Sequence, residues 1–579
     1  MNIRKVLAIL LFVFSLRGEI GIFYGEFIRA GSSKKVNSLP PVQDQNQPNA
    51  CDSSWAFAVA AAMATQFNAR STVSTPLVSL SAEILLSCIS GGYSCNYGSY
   101  MMNMKHLLEK LKTFGLSDDS CTAYRAYDRT SCSPQTRCRL CRPDEKDPEL
   151  AVCKAADYHE YKLKSYEKLE SNEEDKFADL REKMINRLHS DGPVICRISH
   201  SHLLFEYRAK TLREEYIESG DPEYETWVSV VGYVADKWIL QLSFGQNIGF
   251  NGFISVSDSS GKGNPLGLKR DCYAITVDQD VRVRKNSDED LTLTQLKQIY
   301  AFDGLSPHSR FQGLKASALV KGVWNEGISP TGSEAPIDWR DQDGVNQLTR
   351  VKNQHVPGVC GSSWALSAAS MLSDRLKISR VSKGITFPEY TFSVQSAINC
   401  KKGGSCLGGD ISLFLENISS WKLPLETCQY YQARNFNDNS CPPEAVCKVT
   451  TPNKTFAVKE FVGITVPGFG KIRGAKFIKA ALEKGPVVCS LEVTIDFWRY
   501  AKSEGKELNI FSQEEDFFSK NHYVEIVGWG VQKGVEYWIV KNSWGREWGY
   551  DGFIYLKAGI NILGVESFCT YADPELHEN

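Results

Sequence analysis

Residues 360–364 read Cys-Gly-Ser-Ser-Trp, and residues 51–55 read Cys-Asp-Ser-Ser-Trp. One five-residue device thus occurs twice, 309 positions apart. Each copy leads into a stretch apolar at helical spacing, Ser54–Phe67 and Ser363–Leu376. A later landmark repeats as well: Val230-Val231-Gly232 is answered by Ile526-Val527-Gly528, 296 positions on. An internal duplication accounts for both offsets. With 579 residues the chain exceeds the roughly 250–300 at which a single hydrophobic core stops growing. Two domains, residues 38–280 and 336–579, are the economical division, with residues 281–335 between them as a linker or pro-like segment. Within that segment Leu291–Phe302 has apolar residues at helical spacing and is expected to dock as a helix.

Two basic residues in Met1–Lys5 precede an apolar run of 11, Val6–Leu16. That run is shorter than the ~20 residues a spanning helix needs and has the form of a secretory signal. A signal over residues 1–25 is expected, with cleavage loosely between Arg17 and Ala30; an uncleaved anchor is the competing reading. No later stretch is long and apolar enough to cross a membrane. Eighteen cysteines, ten before residue 280 and eight after it, would be unusual in a reducing cytosol and point to disulfides and the secretory pathway. Metal sites compete with that reading. The spacings, however, supply one C-x-x-C pair, Cys138 and Cys141, without a histidine or second pair beside it, so neither metal nor other cofactor is expected. Net charge is −2 and no basic stretch is interleaved with aromatics, which argues against nucleic acid.

The second copy carries a dense set of motifs: Asp338-Trp339-Arg340, Asp343-Gly344-Val345-Asn346, Asn353-Gln354-His355-Val356-Pro357, the Cys360–Trp364 run, Gly404-Ser405-Cys406-Leu407-Gly408-Gly409, Asn521-His522, and Lys541-Asn542-Ser543-Trp544-Gly545. Together they resemble the cathepsin X/Z branch of the papain-family cysteine peptidases over nearly all of residues 336–579. The first copy resembles it more distantly. In that family the device reads C-G-S-C-W, and the second cysteine is the attacking thiolate at a helix start. Here both nucleophile positions, Ser54 and Ser363, are serine.

The resemblance implies an α+β fold for each domain: a helical half carrying the nucleophile helix, a strand-rich half, and a substrate cleft between them. Strands are expected at Trp227–Val234 with Trp238–Leu242, and at Tyr523–Gly530 with Tyr537–Val540. The family roles fall on Gln354 (oxyanion), Ser363 (nucleophile), His522 (base) and Asn542 (orienter of the imidazole), a set whose members act as a unit. His355, on a loop inserted in this branch, corresponds to the residue that would hold a peptide's terminal carboxylate. Gly408, Gly409 and Trp544 line the substrate groove. In the first copy Gln45 keeps the oxyanion position, Asn46 replaces the loop histidine, Thr226 stands at the base and Leu242 at the orienter, which implies a site without catalysis. The same resemblance implies the pairs Cys51–Cys95, Cys88–Cys132, Cys121–Cys138, Cys141–Cys153 and Cys196–Cys272. In the second copy it implies Cys360–Cys406, Cys400–Cys441, Cys428–Cys447 and Cys489–Cys569. Sequons at Asn417 and Asn453 fit a secretory or lysosome-like vesicular route. Two functions compete: a pseudoprotease that binds peptides or protein C-termini, and a serine-for-cysteine, carboxypeptidase-like hydrolase working through the second domain. Oligomeric state is not legible.

Overall fold

The structure, a computed structural model, describes residues 21–28, 35–71, 77–89, 95, 102–127, 132–143, 151–171, 176–258, 264–285, 290–292, 323–329, 335–435, 441–451, 454–458, 460–503, 507–512 and 522–578. The two serine devices open the long helices of their domains. Helix α1 spans Ser54–Arg70 and α2 spans Ser363–Val381. Both are buried on almost every side, as a helix without a polar face must be. Alanines at 56, 58, 60, 62 and 64 keep α1 slim enough to lie against the strands Tyr224–Val234 and Cys272–Val277, and α2 lies in the same way on His522–Gln532.

Each domain has an antiparallel sheet built to one plan. In the first the order is Phe253–Ser257, Lys237–Gln241, Tyr224–Val234, Val194–His200, Cys272–Val277, Leu163–Leu169. The second repeats it as Phe553–Lys557, Val535–Lys541, His522–Gln532, Val487–Leu491, Cys569–Ala572, Phe469–Ile472, with Ile510–Phe511 added in parallel at the edge. The central strands read as continuous apolar runs because both faces are covered. Each domain accordingly holds two cores, one around its long helix and one within its sheet. Nine disulfides form, the same nine pairs that the resemblance implies. Among the described residues no cysteine is free, no helix is long and apolar enough to cross a membrane, and no group of His, Cys, Asp and Glu is arranged to hold a metal.

Short segments outside the two expected spans pack on the domains. Gly21–Phe23 is a strand on Tyr224–Val234, with Ile22 opposite Tyr233 and Tyr24 donating its hydroxyl to Leu188 O (2.9 Å). This strand lies within the span 1–25 expected as a signal, ahead of residue 38; the apolar run Val6–Leu16 lies outside the described residues. At the linker's start, Asp290–Thr292 is a strand on Ala151–Ala155, so the helix expected from Leu291 does not begin there; residues 293–302 lie outside the description. The linker's end is docked on the second domain: Trp324 meets Phe568 edge-on at 5.5 Å, and Asn325 N–H bonds Lys471 O at 2.7 Å.

The domains face one another through equivalent surfaces. Arg546 N–H donates to Ser120 Oγ (3.1 Å) and, in the reciprocal place, Gln246 N–H donates to Thr427 Oγ1 (3.2 Å). Arg139 of the first domain reaches Pro357 O of the second, and its counterpart Lys448 reaches Pro48 O (3.3 Å). An interface in which the same patch is used on both sides is the signature of two-fold packing, here between two halves of one chain. Arg350 lies at this junction between Asp119 and Glu426 (3.1 Å to the latter), and Asp44 N–H bonds the Tyr430 hydroxyl across it.

Candidate active site

The second site is assembled from α2, the loop before it and the two central strands. Ser363 is the first residue of α2 and is 6% exposed; its Oγ accepts the Tyr523 backbone N–H at 3.2 Å. His522 opens one strand and Asn542 follows the next, which brings Nε2 of the imidazole to 2.8 Å from Asn542 Oδ1. That oxygen also accepts the Ser543 N–H (2.8 Å), so it is an acceptor and Nε2 must be the donor. The lone pair is then on Nδ1, the tautomer a general base requires. Trp544 covers the ring at 5.0 Å between centroids. Burial holds the imidazole down to about 4, with the Asn542 bond working the other way.

Gln354 is fixed twice: Ser543 Oγ donates to its Oε1 (2.7 Å) and its Nε2 donates to Cys360 O (3.1 Å). Tyr431 closes the frame, donating to Gln354 O (2.8 Å) and bonded to Ser362 Oγ (2.5 Å). The disulfide Cys360–Cys406 ties the start of α2 to the glycine hairpin Gly404–Gly409. Gly409 has an interior reason to be glycine: a Cβ there would lie 2.5 Å from the Trp364 ring. Gly408, at φ +116°, makes the turn.

His355, on the inserted loop, is buried. It is 2% exposed, its N–H bonds Asn353 Oδ1 (2.9 Å), and its ring stands 6.5 Å from Trp544. Burial, with smaller contributions from His522 and Arg139, pushes the imidazole down to about 3. An imidazole that gains charge near its ordinary 6.5 is therefore not what this loop offers; it offers a neutral ring. Asn417 ends the helix Ile411–Asn417 and bonds Leu413 O through its amide (2.8 Å), while Asn453 lies outside the described residues.

The first site keeps the same hydrogen-bonded frame, with Thr226 and Leu242 where the second site has His522 and Asn542. Ser243 Oγ donates to Gln45 Oε1 (2.6 Å), Gln45 Nε2 to Cys51 O (3.0 Å), Tyr124 to Gln45 O (2.8 Å), and Ser54 Oγ accepts Trp227 N–H (3.0 Å). Leu242 and Phe244 are buried where the second site has Asn542 and Trp544. A cavity of about 550 Å³ opens here, lined by Gln45, Asn46, Asp52, Phe205, Glu223 and Thr226. Sequence reasoning missed one residue of this site. His200, from the neighbouring strand, brings Nε2 to 2.9 Å from Thr226 Oγ1 and bonds Ser201 O through Nδ1 (2.8 Å). A carbonyl only accepts, so Nδ1 carries the proton and Thr226 donates to Nε2. Burial lowers this imidazole's pKa. The register pairs His200 with Tyr224, two places from Thr226, which no linear motif reveals.

Residues 29–275 and 334–573 each match the family model described as papain family cysteine protease. Cathepsin Z of Onchocerca volvulus is 35% identical over 247 residues, covering 41% of this chain and 76% of the relative. Pro-cathepsin H of Mus musculus is 28% identical over 267 residues (45% and 70%). Among solved structures, bromelain from Ananas comosus aligns at 27% identity over 42% of this chain and all of its own, with a TM-score of 0.33. With both matched regions counted, most of the chain is covered, and it belongs to the papain family of cysteine proteases as a tandem of two papain-fold domains.

Proposed function

We propose that this chain is a pseudoprotease of the secretory pathway that binds peptides or protein C-termini in the cleft of its second domain without cleaving them. The Ser363 hydroxyl at the nucleophile position carries the reading. A thiol beside an imidazolium stands as thiolate before substrate arrives; a hydroxyl has to lose its proton during attack and depends on its base for that. His522, held at about 4, is far weaker than a base poised near working pH. What remains intact is the binding frame: Gln354 locked by Ser543, Trp544 over the imidazole, and the glycine hairpin. His355 on the inserted loop would face a terminal carboxylate as a neutral N–H donor. The first domain, with Thr226 and Leu242 at the base and orienter positions, contributes no hydrolysis in this reading.

One observation favours serine-type hydrolysis instead: the Asn542 contact leaves Nδ1 of His522 free to accept a proton. A fluorophosphonate probe decides between them. Purified full-length protein is treated with the probe and digested, and Ser363 is read by mass spectrometry with Ser363→Ala as blank. An unlabelled Ser363 supports the pseudoprotease; stoichiometric labelling overturns it in favour of the hydrolase.

A further inference from the structure

The recognition loop of the second domain is held from outside that domain. Arg139, on the strand Arg139–Pro143 of the first domain, is 3% exposed and donates through Nη2 to His355 O (3.1 Å) and to Pro357 O, so one guanidinium pins both sides of Val356. Its neighbour Leu140 packs into the apolar cluster that contains Trp544 and Trp548. At the reciprocal contact the Lys448 ammonium makes one bond, to Pro48 O (3.3 Å), while its backbone O accepts from Gln47 Nε2 (3.2 Å), and that loop carries Asn46 in place of the histidine. The two-fold related contacts are thus unequal. The planar, forked cation faces the loop with the imidazole, and the point charge faces the loop without it. A guanidinium stays charged at any physiological pH, and this one is close enough to the His355 ring for its charge to be felt there.

Building on the reading of the second cleft as a C-terminus-binding groove, we infer that its carboxylate site is composite: Arg139 of the first domain positions His355 and supplies the positive charge, while His355 supplies an uncharged N–H. Arg139 is a positioning and specificity residue. The degenerate domain then serves as a built-in partner whose surface, rather than its cleft, contributes to recognition.

The test uses full-length protein, immobilised, and an N-acetylated random heptapeptide mixture prepared as free acids and as amides, with capture of each form quantified by mass spectrometry. Wild type is expected to favour free acids about tenfold, the discrimination of one charge-assisted bond. Arg139→Gln should bring the ratio close to one, Arg139→Lys, which keeps the charge and loses the fork, should restore only part of it, and Lys448→Gln should leave it at the wild-type value. A purely structural role for Arg139 would lower capture of both forms together and leave the ratio unchanged, and that result overturns the inference. Wild type showing no preference for free acids would instead overturn the C-terminus reading beneath it, and the inference with it.

Discussion

Replacing Asp44 by asparagine tests whether the domain interface carries a buried carboxyl that opposes folding at neutral pH. Asp44 is 2% exposed at the junction, where its N–H meets Tyr430 and its Oδ1 accepts the Asn46 N–H (2.9 Å). Burial pushes the carboxyl from its ordinary 3.8 up to about 7. The folded pKa lies above the unfolded one, so between about pH 4 and pH 7 the unfolded chain releases a proton that the folded chain keeps. Stability is lost as pH rises through that window, by about 1.4 kcal/mol per pH unit, and the loss levels off above pH 7. At its ceiling it reaches about 4 kcal/mol. Asn keeps the acceptor for Asn46 and does not titrate. The second domain already has this solution, with Asn353 bonding both His355 N–H and Ser120 O. Asp44→Asn should therefore match wild type near pH 3.5 and exceed it increasingly up to pH 7, as read from paired denaturant titrations at half-unit steps. A difference between the two proteins that stays flat with pH, or a variant less stable at pH 7, would refute the reasoning.

Ser363→Cys should become reactive toward an epoxide thiol probe, because Gln354, His522 and Asn542 are already in place; Ser54→Cys should react far more slowly, since Thr226 stands at the base position and His200 is engaged by it, and equal labelling of the two would contradict the geometry. Gly409→Ala drives a Cβ into the Trp364 ring and should cost about 1–3 kcal/mol, whereas Gly468→Ala, with nothing within 4 Å of the added carbon, should be near neutral in the same thermal melts. The preference for free-acid over amidated peptides should stay constant from pH 7.5 to pH 5, since His355 is neutral until about 3; a rise centred near 6.5 in calorimetric titrations would show that the loop histidine is solvated instead. Non-reducing peptide maps should contain the nine pairs and no thiol among the cysteines.

By itself the sequence determined the duplication and both helix starts, which are written locally, and through its motifs the family resemblance that implies the α+β domains and the cysteine pairing. The Cys-x-Ser-Ser-Trp device fixes where α1 and α2 begin, apolar runs mark strands buried on two faces, and cysteines in matching order allow one family pairing to be carried over. The positions of Ser363, His522, Asn542 and Gln354 were legible for the same reason. The tertiary structure decided what depends on neighbours far apart in the chain. The sequence places His355 on the inserted loop, but only the tertiary structure buries it beside Trp544 and the first domain, where desolvation keeps it neutral. His200 and Arg139 carry no motif. One acquires its place from the register of two strands and the other from a two-fold contact between domains, and a contact spanning 216 residues leaves no trace in the spacing of either.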